Sequence, residues 1–179
     1  LSAVTTHAAP FVDISASTDF TCLLTTDELN CFGKNQYDQA KNIQGFRDAK
    51  QVVTGERHTC VLDADGVWCI GDDSVNQLKV PNDLINIRQI AAGDYHTCAL
   101  SDIDVHCWGE NGSGQSTLIP LLKNPRQIAT GSRYSCALDD NGVKCWGATT
   151  GSNIPSSFIN PRVLASRYDR TCVLDDEAM

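Results

Sequence analysis

Apolar and polar positions alternate with period two through a set of short stretches, and one such stretch returns along the whole chain. Phe20, Cys22 and Leu24 share one face of a strand, as do His96, Cys98 and Leu100 in a corresponding stretch. The opposite face carries Thr21 and Leu23, or Thr97 and Ala99. Both faces are fairly apolar, so the strand is expected to be covered on both sides. Turn chemistry follows at Asp63 to Gly66 and at Asp139 to Gly142, each ending in a glycine free to take positive φ. A second strand, as in the stretch from Val67 to Gly71, completes a β-hairpin.

The copies keep strict register. Cysteines fall at 22, 31, 60, 69, 98, 107, 136, 145 and 172: four pairs nine apart, with corresponding members 38 apart, and a fifth set opening at Cys172. Ile14, Val52, Ile90, Ile128 and Leu164 sit eight before the first cysteine, and Gly55, Gly93 and Gly131 five before it, with Ser17 and Arg167 as departures. Self-similarity at a fixed period is the mark of a repeat architecture. The expected units are 14–51, 52–89, 90–127 and 128–163, with a partial unit at 164–179, all in one region spanning 1–179.

If each hairpin folds about a four-residue turn at 63–66, Cys60 faces Cys69. Opposed residues of antiparallel strands lie about 4.5–5.5 Å apart at Cα, within reach of a disulfide. The predicted bridges are therefore Cys22–Cys31, Cys60–Cys69, Cys98–Cys107 and Cys136–Cys145. Structural zinc takes cysteines with two to four residues between them in a tight knuckle, which these hairpins, with eight between, do not supply alone, so no metal is expected. Four bridges place the chain in an oxidising compartment, extracellular or periplasmic.

A unit of 38 residues has room for four short strands: one near Arg88–Ala92, the hairpin pair, and one near Ser116–Leu122. Pro81, Pro120, Pro125, Pro155 and Pro161 punctuate the links. Four-stranded units of about 40 residues are blades of an all-β propeller. Period two excludes an α-solenoid, and the repeat length excludes a β-helix.

The stretch from Gly93 to Gln115 resembles the repeat of the regulator of chromosome condensation family. Gly93, His96, Thr97, Ala99, Leu100, Trp108, Gly109, Asn111, Gly114 and Gln115 follow its consensus in order; Gln39 and Gln77 keep the glutamine, and Asn153 replaces it. The resemblance implies a propeller, most often of seven blades. Short repeats and acidic charge look more like the secreted bacterial branch, which includes an inhibitor of β-lactamases, than the chromatin-bound exchange factor. The cysteine expected to partner Cys172 would fall beyond Met179, so Cys172 is expected to be unpaired. The expectation is a piece of a longer propeller, with strands from a second chain as the alternative.

Charge and composition narrow the partner. The net charge of −8 and the lack of a Lys/Arg cluster disfavour nucleic acid and anionic membranes. No apolar run approaches the roughly 20 residues of a membrane-spanning helix, and the opening Leu1 to Pro10 is not an intact signal peptide. Phosphate-loop, nucleophile-elbow and zinc-protease motifs are absent, so neither enzyme activity nor a cofactor is expected. His58 and His96 share a column with Phe20, Tyr134 and Arg170 and read as packing residues. Trp108 and Trp146, in a column with Phe32 and Ile70, read as packing between blades. Asp63, Asp65, Asp139 and Asp140 read as turn residues rather than calcium ligands.

Variable loop positions carry the functional expectation. They are Thr18 and Asp19, Glu56 and Arg57, Asp94 and Tyr95, Ser132 and Arg133, and Tyr168 and Asp169. In a propeller such loops gather on one face, and this mixture of Tyr, Arg and acids suits protein recognition. The candidate contact residues are Asp19, Arg57, Asp94, Tyr95, Arg133, Tyr168 and Asp169, for a protein partner whose identity the sequence does not give. The alternatives are an enzyme with its site at the channel mouth and a structural propeller inside a larger protein.

Overall fold

The structure is a computed structural model and describes residues 10–148, 158 and 160–176. Asn153, Pro155 and residues 1–9 of the opening stretch lie outside the described residues.

All regular structure among the described residues is β. The first sheet contains β1 (Phe11–Ala16), β2 (Phe20–Thr25), β3 (Glu28–Gly33) and β4 (Ile43–Gln44). The second contains β5 (Gln51–Thr54), β6 (His58–Asp63) and β7 (Gly66–Gly71), and the third β8 (Gln89–Ala92), β9 (His96–Leu100) and β10 (Val105–Gly109). The fourth contains β11 (Gln127–Thr130), β12 (Tyr134–Asp139) and β13 (Gly142–Gly147), and the fifth β14 (Val163–Arg167) and β15 (Arg170–Leu174). Each sheet is an antiparallel meander whose strands follow chain order. Its first strand lies innermost, beside the first strand of the next sheet. These are propeller blades.

The expected four strands per blade need one correction. Among the described residues a fourth strand forms in the first sheet only, where Leu29 pairs with Ile43. In the second and third blades the corresponding segment runs as turns and irregular chain, and no strand forms over Ser116–Leu122. Pro120 and Pro125 there remove the N–H donors that a ladder needs.

Hairpin register follows the cysteines. Cys60 pairs with Cys69, Val61 with Trp68 and Leu62 with Val67. All four hairpins close with Cα separations of 4.0 to 4.2 Å across the bonded cysteines. Asp63 fixes the turn: its Oδ1 accepts from the backbone N of Asp65 (2.8 Å) and of Gly66 (3.1 Å).

The core lies between blades. Middle strands β6 and β12 are buried along their whole length. Their alternating residues pack in opposite directions. Cys60 and Leu62 meet Ile90, Ala99 and Trp108 of the third blade, whereas Val61 packs with Cys22, Leu24 and Leu29 of the first. Cys98 and Leu100 likewise meet Ile128, Ala137 and Trp146. The tryptophans therefore stitch each blade to the one before it, and each indole N–H donates to a carbonyl, Trp108 to Gln77 at 3.1 Å and Trp146 to Gln115 at 2.9 Å.

Polar links run through the same seams. Gln51, Gln89 and Gln127 each clamp the backbone N and O of the residue facing them in the next inner strand: Ile90, Ile128 and Leu164. His58 Nε2 meets Thr97 Oγ1 at 2.8 Å, His96 Nε2 meets Ser135 Oγ at 2.8 Å, and Tyr134 OH meets Thr171 Oγ1 at 2.8 Å. The histidine column is thus a packing position and also a hydrogen-bonded seam.

The first blade shows what one of these faces looks like uncovered. Ile14 is 55% exposed where Val52, Ile90, Ile128 and Leu164 are almost fully buried, and Phe32 is 61% exposed where the tryptophans are covered.

Candidate protein-binding face

Strand direction decides which loops share a face. Residues 17–19 join β1 to β2, and the equivalent loops of the other blades also precede a middle strand, so all five open at one end of the sheets. The predicted residues separate into two rings. Thr18, Glu56, Asp94 and Tyr168 surround the mouth of the central channel. Asp19, Arg57, Tyr95 and Arg133 lie outside it, where their carbonyls accept from the outer loops through the backbone N of Lys34, Asp72, Glu110 and Ala148. Asp169, next to Tyr168, is exposed.

Hydrogen bonds tie the inner ring together. Glu56 N donates to Asp94 O at 2.9 Å and Ser132 N to Tyr168 O at 2.8 Å. Ser132 Oγ donates to Asp94 Oδ2. Tyr168 has a φ of 49°, and its hydroxyl meets Thr18 Oγ1 at 2.7 Å, linking the fifth blade to the first across the mouth. The cavity enclosed here is about 10 Å³.

Outside that ring, Arg57 is the organising residue. Its guanidinium lies 4.9 Å from the Tyr37 ring centroid and 5.6 Å from that of Tyr95, stacked by one aromatic from the first blade and one from the third. Burial and a hydrogen bond to Glu56 push the Tyr95 pKa up to about 12, so its hydroxyl stays a donor at neutral pH. Burial tends to raise the Asp72 pKa, but hydrogen bonds from Ser74, the charge of Arg57 and a bond from Gln77 outweigh it and hold this carboxyl below its ordinary value. Lys34 pairs with Asp19 at 3.1 Å, both about half exposed. Arg133 is exposed, and Arg167 stacks on Tyr168 at 5.1 Å. Tyr37 was not among the expected residues, because it comes from the outer loop rather than from a recurring position.

The histidines lie beneath this face and belong to the core. Burial lowers the His58 pKa to about 4 and the His96 pKa to about 3, so both are neutral. Ser135 donates its hydroxyl proton to Gln115 O at 3.2 Å, which leaves His96 Nε2–H as the donor across the blade seam. Asp63 is likewise spent on structure, accepting also from Trp68 Nε1 and Arg47 N. Among the described residues no cluster of side chains suits a metal ion, and no helix is long and apolar enough to cross a membrane.

Residues 49–77 and 87–115 match the Regulator of chromosome condensation (RCC1) repeat. Two of its units are therefore RCC1-like repeats. Its fold is similar to the CRINKLY WD40 ectodomain of the Arabidopsis thaliana receptor kinase ACR4, at 25% identity and a TM-score of 0.73, covering 91% of this chain and 58% of that one. The ectodomain of the Physcomitrella patens receptor kinase CR4 gives 22% identity and a TM-score of 0.76, over 95% of this chain and 50% of the other. Prp20p from Saccharomyces cerevisiae, described with its binding to Gsp1p and histones, gives 18% and 0.74 over 97% and 58%. The chain thus spans between half and three fifths of these structures. No curated protein matches it significantly by sequence. The four disulfides fit an oxidising environment.

Proposed function

We propose that this chain is a non-enzymatic, protein-binding part of a β-propeller that works outside the cytosol, extracellularly or in a periplasm, as a recognition module or inhibitor. The contact face is the loop face, with Arg57 and Tyr95 at its centre and Asp19, Asp94, Arg133, Tyr168 and Asp169 around them. The observation that carries this reading is Arg57 held between Tyr37 and Tyr95. A guanidinium already stacked in place loses little side-chain entropy on binding, and Arg and Tyr are the residue types that dominate binding energy at protein interfaces.

Two features favour binding over chemistry. The cavity at the channel mouth is about 10 Å³ and the space between the inner strands about 250 Å³, both below the roughly 300 Å³ at which small-molecule sites begin. The titratable groups there, Glu56 and Asp94, are spent on neighbouring loops. Relatives in fold bind proteins: one structure is of Kap60 bound to yeast RCC1 (Prp20). The acidic net charge of −8 favours a protein partner over nucleic acid. The test is capture from an extracellular or periplasmic fraction by the wild type and by Arg57→Ala/Tyr95→Ala. Loss of a specific partner by the variant supports the face; equal retention rejects it.

A further inference from the structure

On the opposite face, the junction between the second and third blades breaks a pattern that its neighbours keep. Asp48, Asn86 and Asn124, spaced 38 apart, have φ of 52°, 52° and 49°, so the loops entering β5, β8 and β11 make the same left-handed turn at equivalent positions. In that register Arg47, Ile85 and Lys123 occupy one position, and Asp65, Ile103 and Asn141, at the hairpin tips, occupy another. At the first junction Arg47 forms an ion pair with Asp65. At the second, the same two positions are both isoleucine, 70% exposed at Ile85 and 81% at Ile103.

The neighbouring junctions are laced shut. Arg47 N donates to Asp63 Oδ2 at 3.2 Å and Ala64 N to Arg47 O at 2.8 Å. Lys123 N donates to Asp139 Oδ2 at 2.8 Å and Asp140 N to Lys123 O at 2.9 Å. At the middle junction Ser101 replaces the aspartate, and its hydroxyl serves its own turn, donating to Asp104 O and accepting from Asp104 N. A groove of about 320 Å³ opens instead, lined by Ile85, Ile103, Asp83, Asp102, Asp104 and other residues that include His106. Arg88, which bonds to the carbonyls of Ser101 and Pro125, is not among its lining residues.

The geometry points to a second docking site: we propose that this groove takes a basic protein segment presenting a bulky apolar side chain between lysines or arginines. The fold does not need the isoleucine pair, since an Arg47–Asp65 ion pair stands there at the first junction and Lys123 and Asn141 occupy the same positions at the third. Two isoleucines this exposed at a tip and its facing loop gain their burial only from a partner. The partner's charge follows from three carboxylates beside them with no Lys or Arg in the lining. Tyr95 precedes β9 and Ser101 follows it, so this site lies at the other end of the sheets and is independent of the Arg57 face.

The experiment titrates the full chain, with its isoleucine methyls 13C-labelled, with the peptide KLKFKK and with the controls KSKSKK and ELEFEE. The Ile85 and Ile103 methyl resonances should move with KLKFKK, at an affinity at least tenfold above either control. Ile85→Arg/Ile103→Asp, which installs the residue pair of the first junction, should keep the unfolding midpoint and weaken binding at least tenfold. Ile103→Ser alone serves if the double variant folds poorly. Unmoved methyls, equal binding of KSKSKK, or full affinity in the folded variant would each overturn the proposal.

Discussion

Gln51 holds Ile90 by both of its backbone polar groups, donating from Nε2 to the carbonyl at 3.0 Å and accepting from the N–H at 2.8 Å. This contact is an inter-blade substitute for a β-ladder. Inner strands of adjacent blades splay apart around the channel, and a primary amide is the side chain that can satisfy an N–H and a C=O at once. Gln89 and Gln127 repeat it.

Replacing Gln89 with Leu should therefore destabilise the protein by about 2 kcal/mol, because it strands both backbone groups of Ile128 in a half-buried seam. The urea midpoint at pH 7.5 checks this, with Gln89→Glu as the companion. The carboxylate keeps an acceptor for the N–H but loses the donor, so it should recover only part of the loss. No change in either variant would show that the clamp is incidental.

The buried histidines predict a specific pH dependence. Folding lowers their pKa values from 6.5 to about 4 for His58 and about 3 for His96. Their neutral forms contribute full stability above about pH 6.5, and that contribution is lost as the pH falls towards the folded values. At pH 5 each should have cost about 2 kcal/mol relative to pH 7.5. The depressed carboxyls Asp72 and Asp139 add their losses only as the pH falls to and below the ordinary carboxylate range. His58→Phe, which copies Phe20 in the same column, should flatten the decline between pH 7 and 5 in a urea-unfolding series. An unchanged slope would count against the histidine account.

The disulfides make the third prediction. Non-reducing peptide mapping should recover Cys22–Cys31, Cys60–Cys69, Cys98–Cys107 and Cys136–Cys145, with one thiol titrating in the unfolded, unreduced protein, from exposed Cys172. Each bridge closes a short loop, worth about 2–3 kcal/mol by chain entropy, so reduction should lower the melting temperature by many degrees. Bridges between different repeats would contradict the hairpin register.

Much of this fold was legible because the repeat constrains itself. Cysteine spacing yields the hairpin register, since only opposed strand positions nine residues apart bring the sulfurs together. The recurring glycine was legible as a column, but its cause was not. A Cβ at Gly93 would come within 2.3 Å of the His96 ring and 2.5 Å of Gly131 O, which explains why Arg167 is admitted where the ring position holds Arg170. The glutamine clamps were readable in principle, as Gln51, Gln89 and Gln127 recur 38 apart, but polar recurrence is invisible to a search for apolar periodicity. The fourth strand failed for a local reason, the prolines. Within the candidate face the sequence separates neither the channel-mouth ring from the outer one nor Tyr37 from other loop residues, because both distinctions depend on how outer loops fold back over the sheet.

The central claim is that Arg57 and Tyr95 anchor a protein partner on the loop face, and the affinity of the captured partner measures it most directly. Titration calorimetry should compare the wild type with Arg57→Ala, Tyr95→Ala and the double variant, with the melting temperature as a control on folding. Each single change should weaken binding about tenfold, equivalent to about 1.4 kcal/mol. Their coupling in the double variant should be non-additive, because each ring and the guanidinium hold one another in place. Affinity equal to wild type in all three folded variants would contradict the account.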